Sequence, residues 1–288
     1  NLMFPATYLS LFPSFPRNNK VFIAMSFDPR FDSRYVKVIE PALRSIEVNG
    51  QRLEPYRVDT SSISDSILTE ILSGISQSRF VFADVSTIEV VNGKPFRNGN
   101  VMYEVGIAHA VRQPEEVLLF RSDNDEVLFD IANVRLNRYA PDEAPDEARR
   151  CIVSKVMDSV RELALKKNMA IQLAADSLDN SSWMVLAEVQ PGNKLQHPAG
   201  RTVREILGGA GRVAAIQRLL DIGAIRASYL VVTPESYEAL KDEPGNLLSY
   251  ECTIFGSRLF DEGIRRMGIE NPETKAFLEN RLNRGGTE

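Results

Sequence analysis

The chain has 288 residues, 43% hydrophobic and 25% charged, with a formal net charge of −5, a balance typical of globular proteins that argues against a fibrous or mainly disordered chain. That length exceeds what one compact core usually needs, so two domains are expected. No stretch approaches the roughly 18 uninterrupted apolar residues of a membrane-crossing helix, and an acidic chain leaves any nucleic-acid binding to a local basic patch.

The two cysteines, Cys151 and Cys252, lie far apart with no Cys-x-x-Cys pair or Cys/His cluster. That spacing predicts neither a zinc site nor a disulfide framework, and the expected location is a reducing cytoplasm, with no metal or cofactor. Residues 1–19, with Phe4, Phe12 and Phe15 between prolines, lack the basic start and apolar core of a signal peptide. They read as an extended arm.

From Lys20 onward the pattern alternates between strand and helix. Val21 to Met25 is a short apolar run, after which Tyr35, Val36, Ile39, Leu43 and Ile46 recur at helical spacing until Asn49 and Gly50 end the helix. Leu53 to Val58 is a weaker strand, interrupted by polar residues. A helix over Ile67, Leu68, Ile71 and Ile75 follows, with Ser62 or Ser64 as its cap. Phe80 to Val85 is the clearest buried strand. Next come an Asn92-Gly93 hairpin, a helix from Val101 to Ala110, a strand from Val117 to Phe120, a last strand near Val134 to Tyr139, and a helix from Glu143 to Lys166.

Strands joined by helices predict a mostly parallel five-stranded sheet, covered by helices on both faces, over residues 20–166. In such a sheet the ligand crevice lies beyond the carboxyl ends of the strands. The rule selects Ser26, Phe27 and Asp28 after the first strand, Asp59 after the second, Asp84 and Ser86 after the third, and Asn98 and Asn100 at the start of the following helix. Arg79 and Arg97 are candidate phosphate ligands.

Residues 167–250 carry a second pattern: helices at Trp183 to Val189, Thr202 to Leu207 and Arg212 to Ile222, the last ended by Gly223, then an apolar ribbon of Ile225 and Tyr229 to Val232. A helix from Ser236 to Leu240 follows Thr233-Pro234-Glu235. The run "IQRLLDIGAIRASYLVVTPESYEAL" resembles the last part of a winged helix-turn-helix, with Arg226 to Ser228 as a short wing. Between residues 191 and 230, Lys194, Arg201, Arg204, Arg212, Arg218 and Arg226 face only Glu205 and Asp221. Arg201, Arg204, Arg212 and Arg218 are therefore candidate contacts to DNA or to a partner. The competing expectation is a homo-oligomer in which Val213, Ile216 and Leu220 pack against a second copy. Residues 251–288 read as a helical tail.

The most informative stretch is "RNGNVMYEVGIAHA". With "VFIAMSFD", "SRFVFADVS" and "LFDIANVRLNRYAP", in that order, it resembles the nucleoside 2-deoxyribosyltransferase-like superfamily and its TIR-like nucleotide-binding relatives. The resemblance implies a flavodoxin-like fold and a ligand that is a nucleoside, a nucleotide or NAD. It implies that Glu104 is the nucleophile at an N-glycosidic bond and that Asp84 is its acidic partner. The family has an acid six residues before the nucleophile where this chain has Asn98, and an amide cannot relay a proton as a carboxylate does. Three functions follow from it: N-glycosidic cleavage or glycosyl transfer, TIR-like cleavage of NAD in stress or antiviral defence, and a non-catalytic nucleotide sensor coupled to the winged helix.

The residues themselves also single out Glu104. If Asn100 caps the helix, the glutamate lies near its amino end, where the helix dipole keeps a carboxylate ionised. A carboxylate beneath a sugar stabilises an oxocarbenium-like state. His109, five positions on, lies about 140° around the helix and is expected in the core or facing a partner, with Met102 and Val105 in the core and Tyr103 turned elsewhere.

Overall fold

A computed structural model describes residues 17–58, 67–125, 135–190, 193–198, 210–231 and 246–268. The chain divides into two compact units, residues 1–166 and 167–288. No described helix is long and apolar enough to cross a membrane.

The first unit is built on five parallel strands in the order β4-β1-β5-β8-β9. They are β4 (Glu54–Tyr56), β1 (Lys20–Ala24), β5 (Phe80–Asp84), β8 (Val117–Arg121) and β9 (Leu136–Arg138). In terms of these five alone the order is 2-1-3-4-5, that of a flavodoxin-like fold. The three central strands have almost no polar interruption because both faces of a parallel sheet are covered. Alternation along each strand sends odd and even positions to different layers.

One layer holds Val21, Ile23, Phe80, Phe82, Leu118 and Phe120. It is closed by α1 (Pro29–Arg34), α2 (Glu40–Arg44) and α5 (Pro145–Ser177). There Phe82 stacks on Phe120 with ring centroids 4.7 Å apart. The opposite layer holds Phe22, Ala24, Val81, Ala83, Val85 and Leu119 against Ile75 of α3 (Ile67–Gln77) and Val101, Val105 and Ala108 of α4 (Gly99–Val111). Gly74 lets α3 lie directly on β1, because a Cβ there would stand 2.6 Å from the Phe22 ring.

The first helix departs from the expected pattern. Asp28 caps it, eight residues before Val36, and between α1 and α2 the turn Tyr35–Ile39 widens to π geometry, with Glu40 N–H donating to the Tyr35 carbonyl. Asn49 and Gly50, both at positive φ, do not simply end the helix but turn a small hairpin of β2 (Glu47–Val48) and β3 (Gln51–Arg52). Asn92 and Gly93, also at positive φ, turn the expected second hairpin, β6 (Thr87–Val91) to β7 (Lys94–Arg97). The long helix α5 does not stop at Lys166 but runs to Ser177.

In the second unit α6 (Asn180–Glu188), β10 (Lys194–Pro198), α7 (Ala210–Asp221), β11 (Ile225–Val231), β12 (Asn246–Cys252) and α8 (Ile254–Arg266) follow one another. The three strands form an antiparallel sheet in the order β10-β12-β11. Gly223, at φ 73°, ends α7, as a left-handed glycine does. Gly256 permits α8 to touch the chain after α7, since its Cβ would fall 2.0 Å from the Ala224 carbonyl oxygen.

Two expectations are corrected here. Ile225 and Tyr229 belong to one continuous strand, and Arg226 to Ser228 are paired within it rather than forming a wing. The expected helices at 202–207 and 236–240, the caps Ser62 and Ser64, and most of the arm and tail lie outside the described residues.

Candidate functional site

The strand order reverses between β1 and β5, and the crevice of an open α/β sheet forms at that reversal. Ser26, just past β1, is buried. Its hydroxyl oxygen accepts from Asp28 N–H at 3.2 Å and from the Asn98 side-chain amide at 3.3 Å. Asn98 also caps α4, its side-chain oxygen accepting from Asn100 N–H at 2.9 Å and Val101 N–H at 3.2 Å. Asn98, with extended backbone before Gly99, is therefore the cap that was expected at Asn100. Asn100 sits exposed in the first turn.

Asp28 turns inward to its own helix. It accepts from Arg30 N–H at 3.0 Å and pairs with the Arg30 guanidinium at 2.7 Å. Hydrogen bonds from Arg30 hold its carboxyl down at about 2. Phe27 beside it remains half exposed.

Asp84 and Glu104 are carried by elements that pack on opposite layers of the sheet. Asp84 follows Phe80 and Phe82 on the even side of β5, the layer of α1 and α5. Its carboxylate, with no exposed surface, accepts from Ser86 N–H at 3.0 Å, the Ser86 hydroxyl, the Tyr139 hydroxyl at 2.7 Å and Arg34 at 3.4 Å. Ser86 is buried too, accepting from Ser122 N–H at 2.9 Å and the Ser122 hydroxyl at 3.1 Å. Both residues tie the ends of β5, β8 and β9 together. Glu104 rides on α4, which packs on the opposite layer.

Because Gly99 opens α4, Glu104 is its sixth residue. That is beyond the first turn, where the helix dipole acts on side chains. Among the described residues it has no hydrogen-bond or ion-pair partner, and burial raises its carboxyl to about 7. Burial thus works against the ionised form that the helix end is expected to favour. Arg97, a candidate phosphate ligand from the sequence, donates to the Val85 carbonyl and to Asp123 at 3.1 Å.

The other candidates separate in space. Arg79 precedes β5 and so lies at the amino edge of the sheet, away from the crevice. His109, with Nε2 buried and unpartnered among the described residues, lines a cavity of about 530 Å³ with Arg112, Arg135 and Asn137 near the amino ends of β8 and β9. It does not join Glu104. Val105 is in the core and Met102 packs on it, while Tyr103 is exposed. Asp59, Arg201 and Arg204 lie outside the described residues.

The four described basic residues of the 191–230 window are each paired with an acid. Arg212 pairs with Glu188, Arg218 with Asp179 at 2.6 Å, Arg226 with Glu251 at 2.8 Å and Lys194 also with Glu251. The acids come from outside the 191–230 window, which is why that window reads as positive. Ile216 is buried within the unit, while Val213 and Leu220, the other two residues expected to meet a second copy, are half-buried.

Arg57 was not among the sequence candidates. Just past β4, its guanidinium lies 4.2 Å from the Phe27 ring centroid and 5.5 Å from that of Tyr35. These three with Asp32, Pro55 and Tyr56 line a cavity of about 510 Å³. The signal was present in the polar interruption of the Leu53 to Val58 run: a cation at the carboxyl end of a parallel strand falls where ligands bind. Among the described residues no group of three or more His, Cys, Asp or Glu side chains is placed to hold a metal ion.

No family model matches this chain, and no curated protein matches it. Among solved structures, the metal-soaked Flv1 flavodiiron core from Synechocystis sp. PCC6803 is similar at 13% identity and a TM-score of 0.35, over 51% of this chain and 36% of that one. This chain therefore matches about a third of the length of that structure.

Proposed function

We propose that the first unit binds a nucleoside, a nucleotide or a related metabolite such as NAD, and acts on its N-glycosidic bond through Glu104. The observation that carries this reading is the unpartnered Glu104 carboxyl, which burial places at about 7. Such a group is divided between acid and base near neutral pH, the condition in which a carboxyl serves best in proton transfer. Its ionised form is the nucleophile or the counter-charge for an oxocarbenium-like state.

The test is release of free base from a panel of nucleosides, nucleoside monophosphates and NAD, followed by chromatography. Glu104→Gln is expected to lower release by about 100-fold or more in a folded protein, and undiminished turnover would remove Glu104 from the chemistry.

A second reading, a nucleotide sensor without turnover, is favoured by one arrangement. Asp84, Ser86 and Asn98 spend their polar groups on protein partners, which leaves Glu104 without a second acid. Saturable binding of one of the panel with no base released by the wild-type protein would select the sensor.

A further inference from the structure

We propose that Arg57 is the anion-binding residue of the 510 Å³ cavity beside β4 and that it takes the phosphate of a nucleotide, so that the ligand is a phosphorylated nucleoside rather than a free one. The inference rests on the nucleotide reading above for the identity of the ligand, but on the geometry of Arg57 alone for its charge.

Arg57 is a half-buried arginine of the carboxyl edge whose donors are only loosely used. Its side chain is 16% exposed. One terminal nitrogen reaches Asp32 at 3.4 Å and the other the Ser26 carbonyl at 3.5 Å, both at the outer limit of a hydrogen bond. Nε is buried and has no partner among the described residues.

Its neighbours differ. Arg34 grips Asp142 at 2.6 and 2.9 Å, and Arg97 holds Asp123 at 3.1 Å. A guanidinium presents a planar fork that matches two phosphate oxygens, and a buried fork with slack bonds and an idle nitrogen gains most from such a partner. Phe27 and Tyr35 fix the plane of that fork by cation-π contact without using its N–H groups.

The cavity also has the right size and place. About 510 Å³ lies within the range that holds a small organic ligand. It opens where Phe27 follows β1 and Arg57 follows β4, at the edge where ligands of such sheets bind. Asp32, the one acid in the lining, is more than half exposed and holds Arg57 only at long range, so an entering phosphate can displace it.

The experiment is calorimetric titration of the whole chain with a panel of nucleosides and with the corresponding 5′-monophosphates, with inorganic phosphate as competitor. At least one monophosphate is expected to bind about tenfold or more tightly than its nucleoside, because a charge-assisted bidentate contact separates them. Inorganic phosphate should compete. Arg57→Gln should bring the pair to within about twofold, and Arg57→Lys should recover only part of the preference.

Thermal melting of both variants shows whether they fold, and the wild-type comparison stands if they do not. No monophosphate preferred over its nucleoside, or a preference unchanged in folded Arg57→Gln, overturns the proposal. Preference for a monophosphate without base release leaves Arg57 in place and instead removes the catalytic reading of Glu104.

Discussion

The Tyr139 hydroxyl donates to the Asp84 carboxylate at 2.7 Å, joining the end of the last strand to the end of the middle one inside the protein. Burial, reinforced by the Asp84 charge, lifts the Tyr139 phenol well above its ordinary range, so it remains a donor at every physiological pH. Removing the carboxylate takes a partner from Arg34, Ser86 and Tyr139 together. Asp84→Ala is expected to lower the unfolding free energy by about 3 kcal/mol or more, and Tyr139→Phe by about 1 to 2 kcal/mol. Urea denaturation measures both; an Asp84→Ala protein as stable as the wild type would show that the carboxylate is not part of the frame.

Glu104 predicts a pH dependence of the opposite kind. Its folded carboxyl is raised from 4.5 to about 7, so the folded state holds the proton more tightly than the unfolded one. The stabilisation from this proton is complete below about 4.5 and is lost as the pH rises to about 7. Glu104→Gln, permanently neutral, should match the wild type at pH 4 to within about 0.5 kcal/mol and exceed it at pH 8 by about 2 kcal/mol, after discounting for solvent screening. Parallel stability curves across this range would refute the assignment of a raised carboxyl.

Asn98 works at both ends of its amide, and two substitutions divide the work. Asn98→Ala removes the α4 cap and should cost about 1 kcal/mol. Asn98→Asp keeps the capping oxygen and adds a charge favourable to the helix start, so its stability should stay within about 0.5 kcal/mol of wild type despite the lost bond to Ser26. Equal losses in the two variants would mean that the bond to Ser26, not the cap, matters.

In the second unit the chain's single tryptophan, Trp183, packs where a Cβ on Gly263 would stand 2.5 Å from its ring, so its fluorescence follows the contact of α6 with α8. Ile216→Asp buries a charge among Ala215, Leu219 and their neighbours and should cost about 3 kcal/mol or more. Trp183 fluorescence is expected to show this unit unfolding at lower urea while the first unit keeps its transition. Loss of a dimer with Trp183 unchanged would instead support α7 as a docking face.

What the sequence conveyed and what it hid follow from the range over which each signal acts. The runs at Val21, Phe80 and Val117 announced the central strands because a parallel strand covered on both sides has little but apolar residues. Asn92-Gly93 announced its hairpin because the turn is decided by the two residues themselves. β12, spelled Asn-Leu-Leu-Ser-Tyr-Glu-Cys, has neither alternation nor an apolar run and passed unnoticed.

The candidate site was less legible. Glu104 was found from its motif, but its distance from the dipole depended on which of two nearby asparagines capped the helix. The separation of Asp84 from Glu104 required knowing that α4 crosses to the odd-numbered side of β5. Arg57 meets Phe27 from thirty positions away, and Arg212 finds Glu188 across a strand and a stretch of chain. No local window contains such pairs.

The widened turn at Tyr35–Ile39 has a further consequence for how this region tolerates change. A π turn holds one residue more than an α-helix of the same rise, and each helical residue rotates the chain by about 100°. Upstream of the extra residue, Arg34 meets Asp142 and Tyr35 meets Arg57; downstream, Val38, Ile39, Ala42 and Leu43 fill the core. The turn absorbs the extra residue, so excising the exposed Val36 would relax it into ordinary helix while leaving both sets in their present register. The length of this segment is therefore less strictly fixed here than in the regular turns on either side, where losing one residue would rotate one set by about 100° away from its partners.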